Sequence, residues 1–288
     1  MNNLSDDKNI ASGYRAAFKL AKMHYENFPV VSFLLPSHIR NDTAAIYWFA
    51  RTADDYADEG NLNQSERLRK LDELETRLTA LLNQQTEVPK EMALRNTIIS
   101  KNLDVKYFYD LLKAFKQDVT KKRYATFSEV LDYCSCSANP VGRIMLDLLN
   151  IRNENAFFLS DKICTALQLT NFIQDTEIDY KKGRIYYPLD ELNKFGVNES
   201  AFEMRENNLN FKKLLEFSVS RIQSYFDDGK GLLEFLSGRF KSEINWTIRG
   251  GEKILSKIRG ADFDVFIKRP VLAKTDHLII LLKVLTGL

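Results

Sequence analysis

An acidic stretch from Asp54 to Glu59 reads Asp-Asp-Tyr-Ala-Asp-Glu, with Gly60 directly after it. Asp54 and Asp58 are four positions apart in sequence of helical periodicity, so their side chains share one helix face. Gly60 and the polar residues that follow it predict that the helix ends at this point. We therefore expect a helix whose last turns present two carboxylates.

The same helix face continues upstream of the acidic motif. Tyr47, Arg51, Asp54 and Asp58 stand at positions i, i+4, i+7 and i+11, which places an aromatic ring, a guanidinium and two carboxylates in one stripe. A solvated surface face seldom combines these groups. We interpret the stripe as one half of a binding site.

A second acidic motif, Asp175 to Asp179, follows about 120 residues later and repeats the four-residue spacing. We predict that it lies on a helix starting near Asp161, and that the polar and aromatic side chains of its face are Gln168, Asn171 and Phe172. A basic loop at the same end supplies Lys182, Arg184 and Tyr186. The two motifs predict four hard oxygen ligands, Asp54, Asp58, Asp175 and Asp179, which suit Mg²⁺ with a substrate diphosphate.

Each of these patterns also has an interpretation without a diphosphate site. A single Asp-x-x-x-Asp is common on exposed helices, and only the pair of motifs is specific. The segment Asp55–Glu66 partly matches a calcium-binding loop, but Ala57 occupies a ligand position. The three histidines are too scattered for a zinc site, and no glycine-rich nucleotide-binding motif follows a strand pattern.

Composition predicts one all-α domain covering residues 1–288. The chain has only 12 Gly and 6 Pro, no linker-like tract, and apolar residues at helical spacing almost throughout, which predicts eight to twelve helices. A net charge of +2 without a basic stripe argues against nucleic-acid binding. Three cysteines that form no disulfide or zinc pattern favour a reducing, cytoplasmic location.

The carboxyl-terminal run from Leu278 to Leu288 is strongly apolar but too short to span a bilayer. The simpler interpretation is a terminal helix packed on the core. The alternative is peripheral contact with the inner face of the membrane.

Several motifs together resemble the squalene and phytoene synthase family, the all-helical enzymes that join two prenyl diphosphates head to head. The resemblance covers nearly the whole chain, and within the family it is greatest to the bacterial hydroxysqualene synthases of hopanoid biosynthesis. The matching pieces are His24–Pro29, Leu34–Pro36, Ala45–Tyr47, both aspartate motifs, Tyr133-Cys134, Val141-Gly142 and Asp264-Val-Phe with Arg269-Pro-Val-Leu.

The resemblance implies a single-domain isoprenoid synthase fold, with helices around a central cavity. It implies that the four aspartates hold two or three Mg²⁺ ions with the diphosphate, that Arg51, Lys182 and Arg184 bind phosphate oxygens, and that NADPH is not used. The expected reaction takes presqualene diphosphate and water to hydroxysqualene and pyrophosphate. His24 belongs to the expected substrate site; the expected aromatic wall is Phe28, Tyr47, Phe172 and Tyr186, and the candidates for positioning water are Asn27, Asn139, Gln168 and Asn171.

Three departures from the family pattern bear on the reaction. Tyr25–Phe28 replaces a Ser-x-Ser-Phe motif, Gln174 replaces an arginine before the second motif, and Ile178 replaces an acid. The loss of a cation and an acid predicts a site that handles one diphosphate group. Two alternatives remain open: an enzyme that condenses two prenyl diphosphates, and a non-catalytic helical subunit that binds an isoprenoid or a protein partner.

Overall fold

The structure is a computed structural model that describes residues 3–23 and 34–286. Helices hold 76% of the chain, and the described residues contain no strand, so the predicted all-α fold is confirmed. The described α-helices are α1 (Asn3–Met23), α2 (Arg40–Asp58), α3 (Gln64–Leu82), α4 (Pro89–Ser100), α5 (Lys106–Thr120), α6 (Phe127–Ser137), α7 (Asn139–Leu148), α8 (Glu154–Gln174), α9 (Thr176–Lys181), α10 (Leu189–Phe195), α11 (Ser200–Glu203), α12 (Leu209–Gly229), α13 (Gly238–Gly260) and α14 (Lys274–Thr286). Short 3₁₀ helices span Ser37–Ile39 and Lys230–Glu234.

Residue contacts group the chain into two compact units. The first unit comprises Met1–Thr120 and Pro140–Asn153, and the second comprises Lys121–Asn139 and Glu154–Leu288. The prediction of a single domain over residues 1–288 stays a prediction.

Helix α2 is the centre of the first unit, because it packs against α1, α3, α4 and α5. Its apolar face buries Ile46, Trp48 and Phe49, and the ring of Phe49 meets Phe108 of α5 edge-on at 5.5 Å between centroids. The polar face of α2 is therefore fixed in direction by the packing of its apolar face.

Helix α8 has the same central role in the second unit, where it contacts α6, α9, α12 and α13. Gly251 of α13 lies so close to Phe226 of α12 and Leu167 of α8 that a β-carbon would collide with the Phe226 ring. Helices α8, α12 and α13 therefore pack closely at this point, and this packing fixes the position of α8. No helix in residues 3–23 and 34–286 is long and apolar enough to cross a membrane.

Candidate active site

The first aspartate motif lies at the carboxyl end of α2, as the sequence predicts. The helix ends at Asp58, and Gly60 takes a left-handed backbone conformation with φ of +69°, which glycine adopts without steric cost. The guanidinium of Arg67 donates to the carbonyls of Tyr56, Glu59 and Gly60 at 3.2, 3.0 and 2.9 Å. These bonds satisfy carbonyl groups that would otherwise lack partners at the helix end.

Arg67 reaches this helix end because α3 begins immediately after the turn. Asn63 caps α3: its Oδ1 accepts from the Glu66 N–H at 3.0 Å, while its own N–H donates to Glu66 Oε2 at 2.8 Å. This capping box fixes the start of α3 and brings Arg67 into its first turn. The cap of α3 and the hydrogen bonds from Arg67 together fix the turn that follows α2, and with it the end of the helix that carries Asp54 and Asp58.

Arg51 lies one turn before the carboxylates and binds two of them. Its Nη1 is 3.1 Å from Asp54 Oδ2, and its Nη2 is 2.7 Å from Asp55 Oδ1. Burial alone would lower the pKa of Arg51, but the charges of Asp54, Asp55 and Tyr47 outweigh it, so the pKa is raised. The side chains of Asp54 and Asp55 remain 40% and 45% exposed, which leaves them accessible to a ligand.

The second motif differs from the predicted continuous helix. Helix α8 begins at Glu154 instead of near Asp161, ends at Gln174, and is followed by the separate α9 from Thr176. Asp175 occupies the junction with φ of −102° and ψ of 14°. The Asp179 N–H still donates to the Asp175 carbonyl at 2.8 Å, so the four-residue helical spacing of the two aspartates is kept.

Two described side chains, Asn171 and Arg269, bind the carboxylate of Asp175. Arg269 is not among the predicted site residues. Asn171 Nδ2 donates to Oδ2 at 3.0 Å, as expected for residues one turn apart. Arg269 binds both oxygens, Oδ1 through Nε and Oδ2 through Nη2 at 3.2 Å. Because Arg269 is 94 residues away in the chain, helical spacing could not pair it with Asp175; the only signal was the resemblance of Arg269-Pro-Val-Leu to the family.

Gln174 brings the Arg269 segment to this motif. Its side chain is buried and its amide donates to the carbonyl of Pro270. The prediction of a site for one diphosphate group, drawn from Gln174 and Ile178, stays a prediction; the structure adds that Arg269 supplies a guanidinium at the adjacent Asp175. Of the two other departures, Ile178 is 43% exposed, and Tyr25–Phe28 lies outside the described residues.

The basic loop after α9 is anchored to the segment that precedes α6. Arg123 Nη1 donates to the Gly183 carbonyl at 2.6 Å, and the Ile185 N–H donates to the Lys122 carbonyl at 3.0 Å. Arg123 in turn is held by both carboxylate oxygens of Glu199 at 2.7 and 2.9 Å. In this loop Arg184 is buried and Lys182 is exposed.

Phe172 and Tyr186, both predicted for the aromatic wall, are stacked with ring centroids 3.8 Å apart and planes 7° apart. Tyr133 lies 5.8 Å from Phe172 and 5.7 Å from Tyr186, and Tyr124 stacks on Tyr186 at 5.6 Å. Tyr124 and Tyr133 are not among the residues predicted for the aromatic wall. All four rings are buried, and Phe172, Tyr186 and Arg221 line a small cavity of about 30 Å³.

The remaining predicted site residues are distributed as follows. Tyr47 and Asp58 are partly buried on α2, and Gln168 and Asp179 are partly buried in the second unit. Asn139 Oδ1 accepts from the Thr165 hydroxyl at 3.1 Å. His24, Asn27 and Phe28 lie outside the described residues, so their predicted roles stay predictions.

The donor set of each motif fits Mg²⁺. Across residues 3–23 and 34–286 no three His, Cys, Asp or Glu side chains form a ready ligand cluster. Mg²⁺ does not require one, because it usually keeps several waters and binds through one or two carboxylates together with substrate phosphates. The pairs Asp54 with Asp58 and Asp175 with Asp179 are the residues that would hold it.

Comparisons with known proteins place the chain in a family. The profile of the squalene/phytoene synthase family matches residues 21–276. Hydroxysqualene synthase of Zymomonas mobilis is 36% identical over 220 residues, covering 75% of this chain and 73% of that protein. Hydroxysqualene synthase of Rhodopseudomonas palustris is also 36% identical, over 208 residues that cover 72% of this chain and 70% of the relative.

A solved structure shares the fold at higher coverage. The squalene synthase HpnC from Alicyclobacillus acidocaldarius superposes with a TM-score of 0.83 at 33% identity, covering 88% of this chain and 96% of that one. The predicted isoprenoid synthase fold is therefore confirmed. The chain belongs to the squalene/phytoene synthase family.

Proposed function

We propose that this enzyme converts presqualene diphosphate and water to hydroxysqualene and pyrophosphate. One observation carries the proposal: Phe172, stacked on Tyr186, lies one helical turn before Asp175, which Arg269 binds. A ring proposed to face the carbocation thus lies on the last turn of α8, and the carboxylate proposed to act with the diphosphate lies at the junction that directly follows this helix. The relatives named hydroxysqualene synthase support the choice of reaction.

At the diphosphate end, Asp54, Asp58, Asp175 and Asp179 would hold two or three Mg²⁺ ions with the substrate. Bound Mg²⁺ neutralises the negative charge that develops on the departing pyrophosphate. The cationic side chains Arg51, Lys182 and Arg184 donate charge-assisted hydrogen bonds to phosphate oxygens, and Arg269 joins them.

At the hydrocarbon end, the bond between the cyclopropylcarbinyl carbon and the diphosphate oxygen breaks, and the oxygen leaves with the electron pair. The negative faces of Phe172, Tyr133 and Tyr186 attract the resulting cation and exclude water while it rearranges. One water then adds and loses its proton to solvent. Gln168 and Asn171 are amides on the same helix that can orient this water, and no hydride donor such as NADPH is needed because the product gains a hydroxyl.

The proposal is tested by product analysis with purified protein and Mg²⁺, without NADPH. Presqualene diphosphate should give hydroxysqualene, and farnesyl diphosphate given separately should remain unreacted. Two isosteric pairs of variants test the site: Asp54→Asn against Asp55→Asn, and Asp175→Asn against Glu177→Gln. The first member of each pair should lose turnover at least 100-fold, whereas its neighbour, which also pairs with an arginine, should stay within about threefold.

The second candidate function is condensation of two prenyl diphosphates. It is favoured by the name squalene synthase on the solved structure and by the guanidinium that Arg269 places at the second motif. Presqualene diphosphate formed from farnesyl diphosphate would assign this function instead. If the protein binds presqualene diphosphate or farnesyl diphosphate but consumes neither, the result would favour the non-catalytic subunit.

A further inference from the structure

Helix α14 exposes an apolar face. Leu278, Ile279 and Leu282 are 58%, 53% and 53% exposed, while Asp276 and Ile280 on the opposite face are buried. The buried face accounts for the packing of α14 against α13. The described part of the chain therefore leaves three large aliphatic side chains of one short helix in solvent.

A rigid turn before α14 exposes a fourth large aliphatic side chain. Ile267 is 86% exposed, although its neighbour Phe266 is buried 4.9 Å from Phe211 between ring centroids. Asp264 Oδ1 accepts from the N–H groups of Phe266 and Ile267 at 3.0 and 3.1 Å. The turn thus holds Ile267 outward through specific hydrogen bonds.

Basic side chains surround these apolar groups. Lys268, Lys274 and Lys283 are exposed, and Asp276 is the only acid between residues 265 and 288. Asp276 is buried and bound by Lys257, so it adds no exposed negative charge. A cleft of about 450 Å³ joins the turn to the start of α14. Its lining includes the apolar residues Ile267, Val271 and Ala273 and three basic residues, Lys257, Lys268 and Arg269, against one acid, Asp264.

We propose that this surface docks on an anionic phospholipid membrane. The lipid-docking face is defined as Ile267, Val271, Leu278, Ile279 and Leu282 with Lys268, Lys274 and Lys283. Aliphatic side chains enter the headgroup boundary, and lysines beside them attract anionic headgroups. A second protein chain fits less well, because a stable interface needs about 800 Å² and 20 to 30 residues on each side.

Docking would bring the second motif to the lipid surface. Ile267 is two residues before Arg269, which binds Asp175. The substrate and product of the proposed reaction carry long hydrocarbon chains that partition into lipid, so the enzyme would exchange both at the membrane. This account of delivery rests on the proposed function, but docking itself is measured without substrate or Mg²⁺.

The test is co-sedimentation of the full chain with vesicles of phosphatidylcholine alone and with about 30% phosphatidylglycerol. We expect binding that is about tenfold stronger with the anionic lipid and weakens with added salt. Leu278→Ser/Leu282→Ser should reduce the partition coefficient at least tenfold. The matched control Ile99→Ser/Phe158→Ser removes two apolar groups of similar exposure, 53% and 56%, and should change it less than twofold.

Hydrogen exchange of the wild-type chain provides a readout that needs no variant, since vesicles should protect residues 264–286. Absence of wild-type binding to both vesicle types would overturn the proposal, as would equal loss in the test and control variants. A concentration-dependent doubling of mass that the Leu278→Ser/Leu282→Ser variant abolishes, without vesicle binding, would assign the surface to a second copy of the chain and also overturn it.

Discussion

The carboxylate of Asp175 is bound by both Asn171 and Arg269. Replacing Arg269 by Gln removes a two-point charged contact worth about 1.5–3 kcal/mol. We expect kcat/KM for presqualene diphosphate to fall about 10- to 100-fold. Arg205→Gln is the matched control, since Arg205 binds Glu177 of the same motif; steady-state kinetics showing equal losses would contradict a specific role for Arg269.

Gln174 makes a second prediction at the residue scale. Its buried amide donates to the Pro270 carbonyl, so Gln174→Arg must place a longer, charged side chain in a filled space. We expect a loss of about 1–3 kcal/mol in the free energy of unfolding from overpacking, and no presqualene diphosphate from farnesyl diphosphate. Denaturant unfolding and product analysis check these two expectations, and new condensation activity would show that this position alone selects the reaction.

At the scale of elements, the end of α2 depends on a side chain from α3. Arg67→Ala removes three bonds to carbonyls of the α2 terminus and should cost about 1–3 kcal/mol of stability. It should also raise the Mg²⁺ concentration needed for half-maximal turnover, because Asp58 is in the affected turn. Arg69→Ala, which breaks only an exposed pair with Glu73, should stay within about 0.5 kcal/mol in thermal unfolding.

The anchored basic loop gives a pH-dependent prediction. Hydrogen bonds from Arg123 lower the pKa of Glu199 in the folded chain. A depressed carboxylate pKa stabilises the fold above the unfolded pKa, and this contribution is lost as the pH falls through the folded pKa. At pH 7 the wild type should therefore have a higher melting temperature than Glu199→Gln. The difference in the free energy of unfolding should be less than about 1 kcal/mol, because the pair is half exposed. The difference should shrink as the pH falls through the lowered folded pKa of Glu199; a pH-independent difference would contradict this account.

At the scale of the whole molecule, the proposal requires that the motifs of the two compact units serve one ligand. Mg²⁺ with inorganic pyrophosphate should raise the melting temperature, since a ligand at 100 times its Kd stabilises by about 2.7 kcal/mol. Asp54→Asn and Asp175→Asn should each remove most of this shift, and the double variant should lose little more. Additive losses in differential scanning calorimetry would instead show two independent sites.

Much of the molecule was predictable because it depends on local spacing. Apolar periodicity predicted a mainly helical chain, although the described residues form fourteen α-helices instead of the expected eight to twelve. Gly60 predicted the end of α2, and the four-residue repeat predicted the face that carries Asp54 and Asp58. Helical turns have the same geometry everywhere, so residues three or four apart can be placed on one face from the sequence alone. Phe172 and Tyr186 were assigned to an aromatic wall through the family resemblance, and their stacking was not predicted because it joins two different elements.

An all-helical chain of the squalene/phytoene synthase family with two acidic helix ends could be inferred without coordinates. Only the tertiary structure decided what surrounds those ends: Arg67 at the α2 terminus, Arg269 on Asp175, Tyr124 and Tyr133 beside the aromatic stack. The break between α8 and α9 at Asp175 was also decided there. The physical reason is that these contacts join different elements, up to 94 residues apart, and depend on how apolar faces pack, which no local repeat encodes.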